Sequence, residues 1–197
     1  MFACVANFAI AYLETDRGPR LCSQGHGVNG QLGLGSTDAA DTFTIISGLV
    51  DVEPKIISCG IMHSLLLDTE NNLYGWGNNS DKQVEVKRKS YKIAQPKLLN
   101  LPHNISPQSI IAGGYSSAII DQNGNVWIWG YNFKTFTQIH ELSNIKQLVI
   151  NGINENGNLL ALNSDGQVYC WNLKSKRIFT LAHLNNNFYF VHDGYIN

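Results

Sequence analysis

Apolar residues along this chain come in short runs, and three runs are followed by turn formers and then by strict alternation. The segments are "SLLLDTENNLYGWGNN" (64–79), "SAIIDQNGNVWIWGYN" (117–132) and "LLALNSDGQVYCWNLK" (159–174). After each turn Tyr74 and Trp76, Trp127 and Trp129, or Tyr169 and Trp171 fall on one face. That is a period of two, which belongs to strands. The turns hold Asn71-Asn72, Asn123-Gly124 and Asp165-Gly166, residues that accept the positive φ of a tight hairpin.

The halves that precede these hairpins also match. "PKIISCGIMHS" (54–64) parallels "PQSIIAGGYSS" (107–117), and "FTIISGL" (43–49) parallels "QPKLLNL" (95–101). From Gly25 to Gly77 is 52 positions and from Gly77 to Gly130 is 53, shrinking to 42 from Gly130 to Asn172. Single-unit copies of about 50 residues with several strands each predict an all-β propeller, in which neighbouring units bury one another's faces. The chain then divides as one repeat domain over 1–197. It comprises the closing half of a blade (1–25), repeats over 26–77 and 78–130, a degenerate repeat over 131–172 and a partial repeat over 173–197, where "FYFVHDGYIN" echoes a hairpin.

One stretch invites a different reading. "GHGVNGQLGLG" (25–35) contains Gly25, Gly27 and Gly30 in the spacing of a dinucleotide-binding loop. That loop needs a helix starting inside it, so that the helix N-terminus meets the pyrophosphate. Here Gly33 and Gly35 follow at once, and no helical periodicity does. The stretch occupies the place of "GNNSDKQVEV" (77–86) in the next unit, so its glycines are expected to set turns between blades and no cofactor is called for.

Composition narrows the function classes. Apolar residues make up 44% and charged residues 15%, with 14 Lys and Arg against 15 Asp and Glu. The chain is globular and lacks the positive surplus needed to coat nucleic acid or an anionic membrane. Cys4, Cys22, Cys59 and Cys170 are scattered without metal-site spacing, and most sit in apolar runs where cysteine is buried. The opening "MFACVANFAIAYL" has the apolarity of a signal peptide but neither the preceding basic residues nor a cleavage site, so it reads as a buried strand. No run reaches the length of a membrane helix. An intracellular setting, cytoplasmic or nuclear, is expected.

The motifs "GHGVNGQLGLG", "CGIMHSLLL" and "LYGWGNN" together resemble the repeats of the regulator of chromosome condensation family. That repeat reads Trp-Gly-x-Asn-x-x-Gly-Gln-Leu-Gly-Leu-Gly, then Gly-x-x-His-Ser, then a hairpin back to Trp-Gly. The positions that match it are Gly25, Gly30, Gly33, Gly35, Gly60, His63, Trp76 and Gly77 in the first copy. Gly113, Trp129 and Gly130 match in the second, and Trp171 in the third. The resemblance implies a β-propeller of about four repeats, partial or open beside the family's seven-bladed ring, and so an incomplete or degenerate member whose ring an oligomer or second chain could complete. It also implies a partner protein. The founding member is an exchange factor for the small GTPase Ran and works through one face of the ring and a β-wedge. Relatives act as scaffolds beside ubiquitin-ligase or membrane-targeting domains, or as inhibitors of β-lactamases.

No nucleophile, carboxylate pair or metal cluster gives an enzyme a foothold, so catalytic and metal residues are called as none. The expected function is a protein–protein interaction module working through inter-strand loops, with guanine-nucleotide exchange on a Ran-like or other small GTPase as the alternative. The candidate contact loop is Asn78 to Lys92, the most basic part of the chain. Its candidate residues are Asp81, Lys82, Lys87, Arg88 and Lys89, with His26 and Asn29 from the preceding glycine loop. His63 is expected to be structural, hydrogen-bonded between blades.

Overall fold

A computed structural model describes residues 1–5, 7–85, 87, 90–151 and 157–183, the side chains of 181–183 excepted. The described residues form sixteen strands in four antiparallel sheets of four, each ordered as the chain runs. The first sheet holds β1 (Phe2–Val5), β2 (Phe8–Leu13), β3 (Arg20–Gly25) and β4 (Ala40–Ile45). The second holds β5 (Pro54–Cys59), β6 (His63–Asp68), β7 (Leu73–Asn78) and β8 (Lys92–Leu98). The third holds β9 (Pro107–Ala112), β10 (Ser116–Asp121), β11 (Val126–Gly130) and β12 (Phe133–Ile139). The fourth holds β13 (Ile145–Asn151), β14 (Asn158–Asn163), β15 (Gln167–Asn172) and β16 (Ile178–His183). The first strands of successive sheets touch in order, β1 to β5 to β9 to β13, so the sheets stack as propeller blades. The repeats drawn at 26–77, 78–130 and 131–172 each supply the last strand of one sheet and the first three of the next. Residues 1–25 carry β1 to β3, and the echo at 188–197 lies outside the described residues.

The opening apolar run differs from the sequence expectation of one buried strand. It makes two strands, β1 and β2, paired from Phe2 opposite Ala11 to Val5 opposite Phe8. β1 is largely exposed, with Phe2 at 78%, whereas Phe8, Ile10 and Ala11 of β2 are buried. Of the four cysteines, Cys22 and Cys59 are buried, Cys170 is half-buried and Cys4 is exposed, all as thiols.

The β-hairpins between the second and third strands of the last three sheets close with one repeated device. Asn71, Gly124 and Gly166 take φ of 65°, 75° and 83°. The residue ending the second strand then accepts hydrogen bonds from the far side of the turn. Asp68 accepts from Asn72 N at 2.7 Å and Asn72 Nδ2 at 2.9 Å. Asn163 accepts from Asp165 N and Gln167 N at 3.0 and 2.8 Å. Asp121 has the fullest set: Asn123 N, Asn125 N, Asn125 Nδ2 and Trp127 Nε1, all within 3.0 Å. Burial pushes the Asp121 carboxyl upward, but the hydrogen bonds from Trp127, Asn125 and Asn123 outweigh it and hold the group below its ordinary value. With Asp121 at 2% exposure, Asp121→Ala orphans several donors at once. It is expected to cost roughly 2–3 kcal/mol in urea unfolding, and Asp121→Asn less than that.

The core forms one apolar cluster running from the first sheet into the third and a second joining the third to the fourth. Trp76, Trp129 and Trp171 are buried within these clusters, at 0%, 0% and 3% exposure. Their strand neighbours two residues earlier, Tyr74, Trp127 and Tyr169, are half-buried at the margin.

Candidate partner-binding face

The glycine loop after β3 docks the first blade onto the second. Gly25, Gly30, Gly33 and Gly35 all have positive φ, between 74° and 114°. At Gly33 a Cβ would lie 2.9 Å from Trp76 Nε1, so the loop backbone sits directly on that indole. The carbonyl of Gln31 accepts from Trp76 Nε1 at 2.8 Å and from Ser64 Oγ at 2.9 Å. The loop is therefore an inter-blade clasp.

The second copy keeps this clasp after losing its glycines. Lys82 takes φ 69° where Gly30 has 79°. Gln83 Oε1 accepts from Asp81 N at 3.0 Å, as Gln31 Oε1 accepts from Asn29 N at 2.9 Å. Val84 is buried as Leu32 is. The carbonyl of Gln83 accepts from Ser117 Oγ at 2.7 Å, reaching the third sheet. Trp129 Nε1, by contrast, has no hydrogen-bond partner among the described residues, where Trp76 bonds Gln31. The loop's sequence decays between copies, but its conformation is retained.

His63 lies on the same seam. Its Nε2 is 2.8 Å from Ser117 Oγ. Because that hydroxyl donates to Gln83, it accepts from the ring, which assigns the Nε2–H tautomer. Nδ1 has no partner among the described residues and faces Gly60, where a Cβ would stand 2.9 Å from it. Burial pushes the imidazole down to about 3, so it is neutral and serves as a strut between blades.

Past Gln83 the chain rises into the candidate contact loop. β7 ends at Asn78 and β8 begins at Lys92, so the connection is 79–91, and both residues that bounded the loop in sequence belong to strands. Asn79 holds this loop from beneath. It is fully buried; its Oδ1 accepts from Val84 N and Glu85 N at 3.1 and 2.9 Å, and its Nδ2 donates to Glu85 O and Ser90 O at 3.2 and 3.0 Å. On top, Lys87 is exposed and Tyr91 is 71% exposed.

The glycine loop meets the base of the basic loop at Asn29 and Val28. Asn78 Nδ2 donates to Asn29 Oδ1 at 3.3 Å and Lys92 Nζ to Val28 O at 2.8 Å, tying the glycine loop to the base of the basic one. His26 is exposed; Asn29, Asp81 and Lys82 are half-buried. Arg88 and Lys89 lie outside the described residues. Tyr91 was missed in the sequence, where a lone Tyr beside Lys92 carries no signal of exposure. The corresponding connections of the later blades shrink to 131–132 and 173–177, against 26–39 in the first blade and 79–91 in the second. Among the described residues no helix is long and apolar enough to cross a membrane, and no group of three metal-ligating side chains is assembled.

A family model described as the regulator of chromosome condensation (RCC1) repeat matches residues 55–83, the stretch that runs from β5 through His63 and Trp76 to Gln83. The human E3 ubiquitin-protein ligase HERC2 is 27% identical over 113 residues, 56% of this chain and 2% of HERC2. Human WBSCR16 has a similar structure, with TM-score 0.77 and 19% identity over 92% of this chain and 52% of that one. Prp20p from Saccharomyces cerevisiae superposes with TM-score 0.67 and 22% identity, covering 87% of this chain and 44% of that one. The chain thus spans about half of these solved propellers and a small fraction of the ligase. Residues 55–83, which carry the buried His63 and the inter-blade Trp76, thus match the regulator of chromosome condensation repeat, and the four-sheet fold around them is that of the solved propellers.

Proposed function

We propose that this chain is a protein-interaction module of the cytoplasm or nucleus, binding its partner through the 79–91 loop with His26 and Asn29 at its base. The observation that carries this reading is the buried Asn79 cage beneath exposed Lys87 and Tyr91. Backbone pinned at Asn79 loses less entropy on binding, and an exposed Tyr is a favoured interface anchor. The surplus of Lys in this loop suits an acidic partner surface. The second reading is nucleotide exchange on a Ran-like or other small GTPase; it rests on the repeats shared with Prp20p, whose structure is described with its binding to Gsp1p and histones.

Two experiments separate these readings. Quantitative capture from extract compares the wild-type chain with Lys87→Glu/Tyr91→Ala. Specific partners are expected to fall at least tenfold with the double variant, and unchanged recovery would place the contact elsewhere. Release of a fluorescent guanine nucleotide from a panel of Ran- and Rab-like GTPases tests the second reading. Acceleration at catalytic concentration supports exchange, and a flat response from folded protein leaves the binding module.

A further inference from the structure

We propose that Val28 and Lys92, where the glycine loop crosses onto the second blade, form a second anchor for the partner and take a segment with a carboxylate beside an apolar side chain. The inference rests on docking at 79–91 and names what the partner presents next to that loop.

The cation is fixed in place, and not by an anion. Lys92 Nζ donates to the carbonyl of Val28 at 2.8 Å, and among the described residues it enters no ion pair. An ammonium has three N–H donors, so two are left for a ligand. Lys97 of the same strand differs, since both carboxylate oxygens of Glu85 lie within 3.0 Å of its Nζ. The Val28 carbonyl orients Lys92 without neutralising it, and a side chain already held loses less rotamer freedom when a ligand binds.

The apolar part adjoins it. Val28 is 58% exposed, and its carbonyl is the group that holds the ammonium. The loop around it is tied down: Asn78 Nδ2 donates to Asn29 Oδ1 at 3.3 Å, and a Cβ on Gly30 would stand 2.8 Å from Ala94 Cα. An open cleft of about 430 Å³ also borders Lys92, with Ala94, Pro96 and Gly35 in its wall. A segment that brings a carboxylate to Lys92 therefore has Val28 and this cleft beside it for its neighbouring side chains.

The repeat does not require this pair. Asp81, Lys82 and Gln83 stand in the second copy where Asn29, Gly30 and Gln31 stand in the first, so Val28 corresponds to Ser80. Gly77 pairs with Ile93 and Gly130 with Phe133, so Lys92 corresponds to Asn132. The seam between the second and third blades closes with a hydroxyl and an amide at these positions. An exposed valine and a held ammonium at the first seam make a surface complementary to an acidic, apolar segment.

The test titrates the isotope-labelled full chain with the capped peptides Gly-Leu-Glu-Leu-Gly and Gly-Leu-Gln-Leu-Gly, followed by amide NMR. The Glu peptide is expected to shift the amides of Val28, Asn29 and Lys92 above all, and the Gln peptide to bind roughly fivefold more weakly. Lys92→Met keeps the stem and loses the charge, so it should erase that difference, whereas Lys92→Arg should keep it. Val28→Ser, the second copy's choice, should weaken both peptides alike, by roughly threefold. Equal binding of the two peptides, shifts centred elsewhere, or no shifts at millimolar peptide would each overturn the anchor. Capture with Lys87→Glu/Tyr91→Ala reads the 79–91 loop separately. Capture lost in that variant alongside a failed titration removes only the anchor. A titration as expected with capture unchanged removes only the loop, and Val28 and Lys92 remain the acceptor of acidic segments.

Discussion

Trp76→Ala is expected to remove about 3–5 kcal/mol of stability, the range for deleting a fully buried indole from a close-packed site. Trp76 has 0% exposure, and its ring is held on both sides of the seam between the first two blades. On one side is the backbone of Gly33; on the other is its own sheet. The variant also leaves the Gln31 carbonyl with one donor, Ser64, in place of two. Against a typical total of about 5–15 kcal/mol this is a large fraction. Trp76→Phe should fall between, since it keeps most of the apolar volume and loses the 2.8 Å bond. Urea unfolding monitored by far-ultraviolet circular dichroism measures both. A cost below about 1 kcal/mol for Trp76→Ala would mean that the seam relaxes around the missing ring and that the clasp is not what joins these blades.

Acid should weaken the fold through His63. Its folded value, about 3, lies below the ordinary 6.5, so between those limits the unfolded chain binds a proton that the folded chain excludes. Stability is therefore complete above about pH 6.5 and declines as pH falls toward 3, with a slope on the order of 1 kcal/mol per pH unit. Asp121, whose folded value is depressed, acts in the same direction at lower pH: its contribution is present above 3.8 and lost as pH falls through its folded value. Urea midpoints across pH 4–7 check the first effect. His63→Gln keeps a donor for Ser117 and removes the titration, so it should be less stable near pH 7 yet show a much flatter dependence down to pH 4. An equally steep curve in the variant would assign the acid sensitivity to other groups.

The repeat, the hairpins and the turn role of the glycine loop could all be read from the residues, because each depends on local chemistry. Gly124 and Gly166 announce their turns, and Gln31-Leu32-Gly33-Leu34-Gly35 announces a loop that no helix can use. His63 could be placed as a strut because the repeat it resembles carries a His there and no nucleophile accompanies it, though its partner Ser117 could not, since that bond joins residues 54 apart. What stayed hidden depended on backbone shape without a residue signal. Lys82 adopts the left-handed conformation of Gly30 because its neighbours Asn79 and Gln83 are pinned by buried contacts, a tertiary override of local preference. The opening run concealed the pairing of β1 with β2, because no Gly or Pro separates the two strands. The exposure of Tyr91 follows from the Asn79 cage, which only the fold assembles.

The central claim is that a partner protein docks on the 79–91 loop, and site-directed photo-crosslinking addresses it directly. A benzophenone amino acid replaces Lys87 in one sample and Lys146, exposed on β13 of the fourth sheet, in another. Irradiation in cell extract is predicted to give discrete protein adducts from position 87 that are absent from position 146. Adducts of equal yield from both positions, or from position 146 alone, would contradict the account.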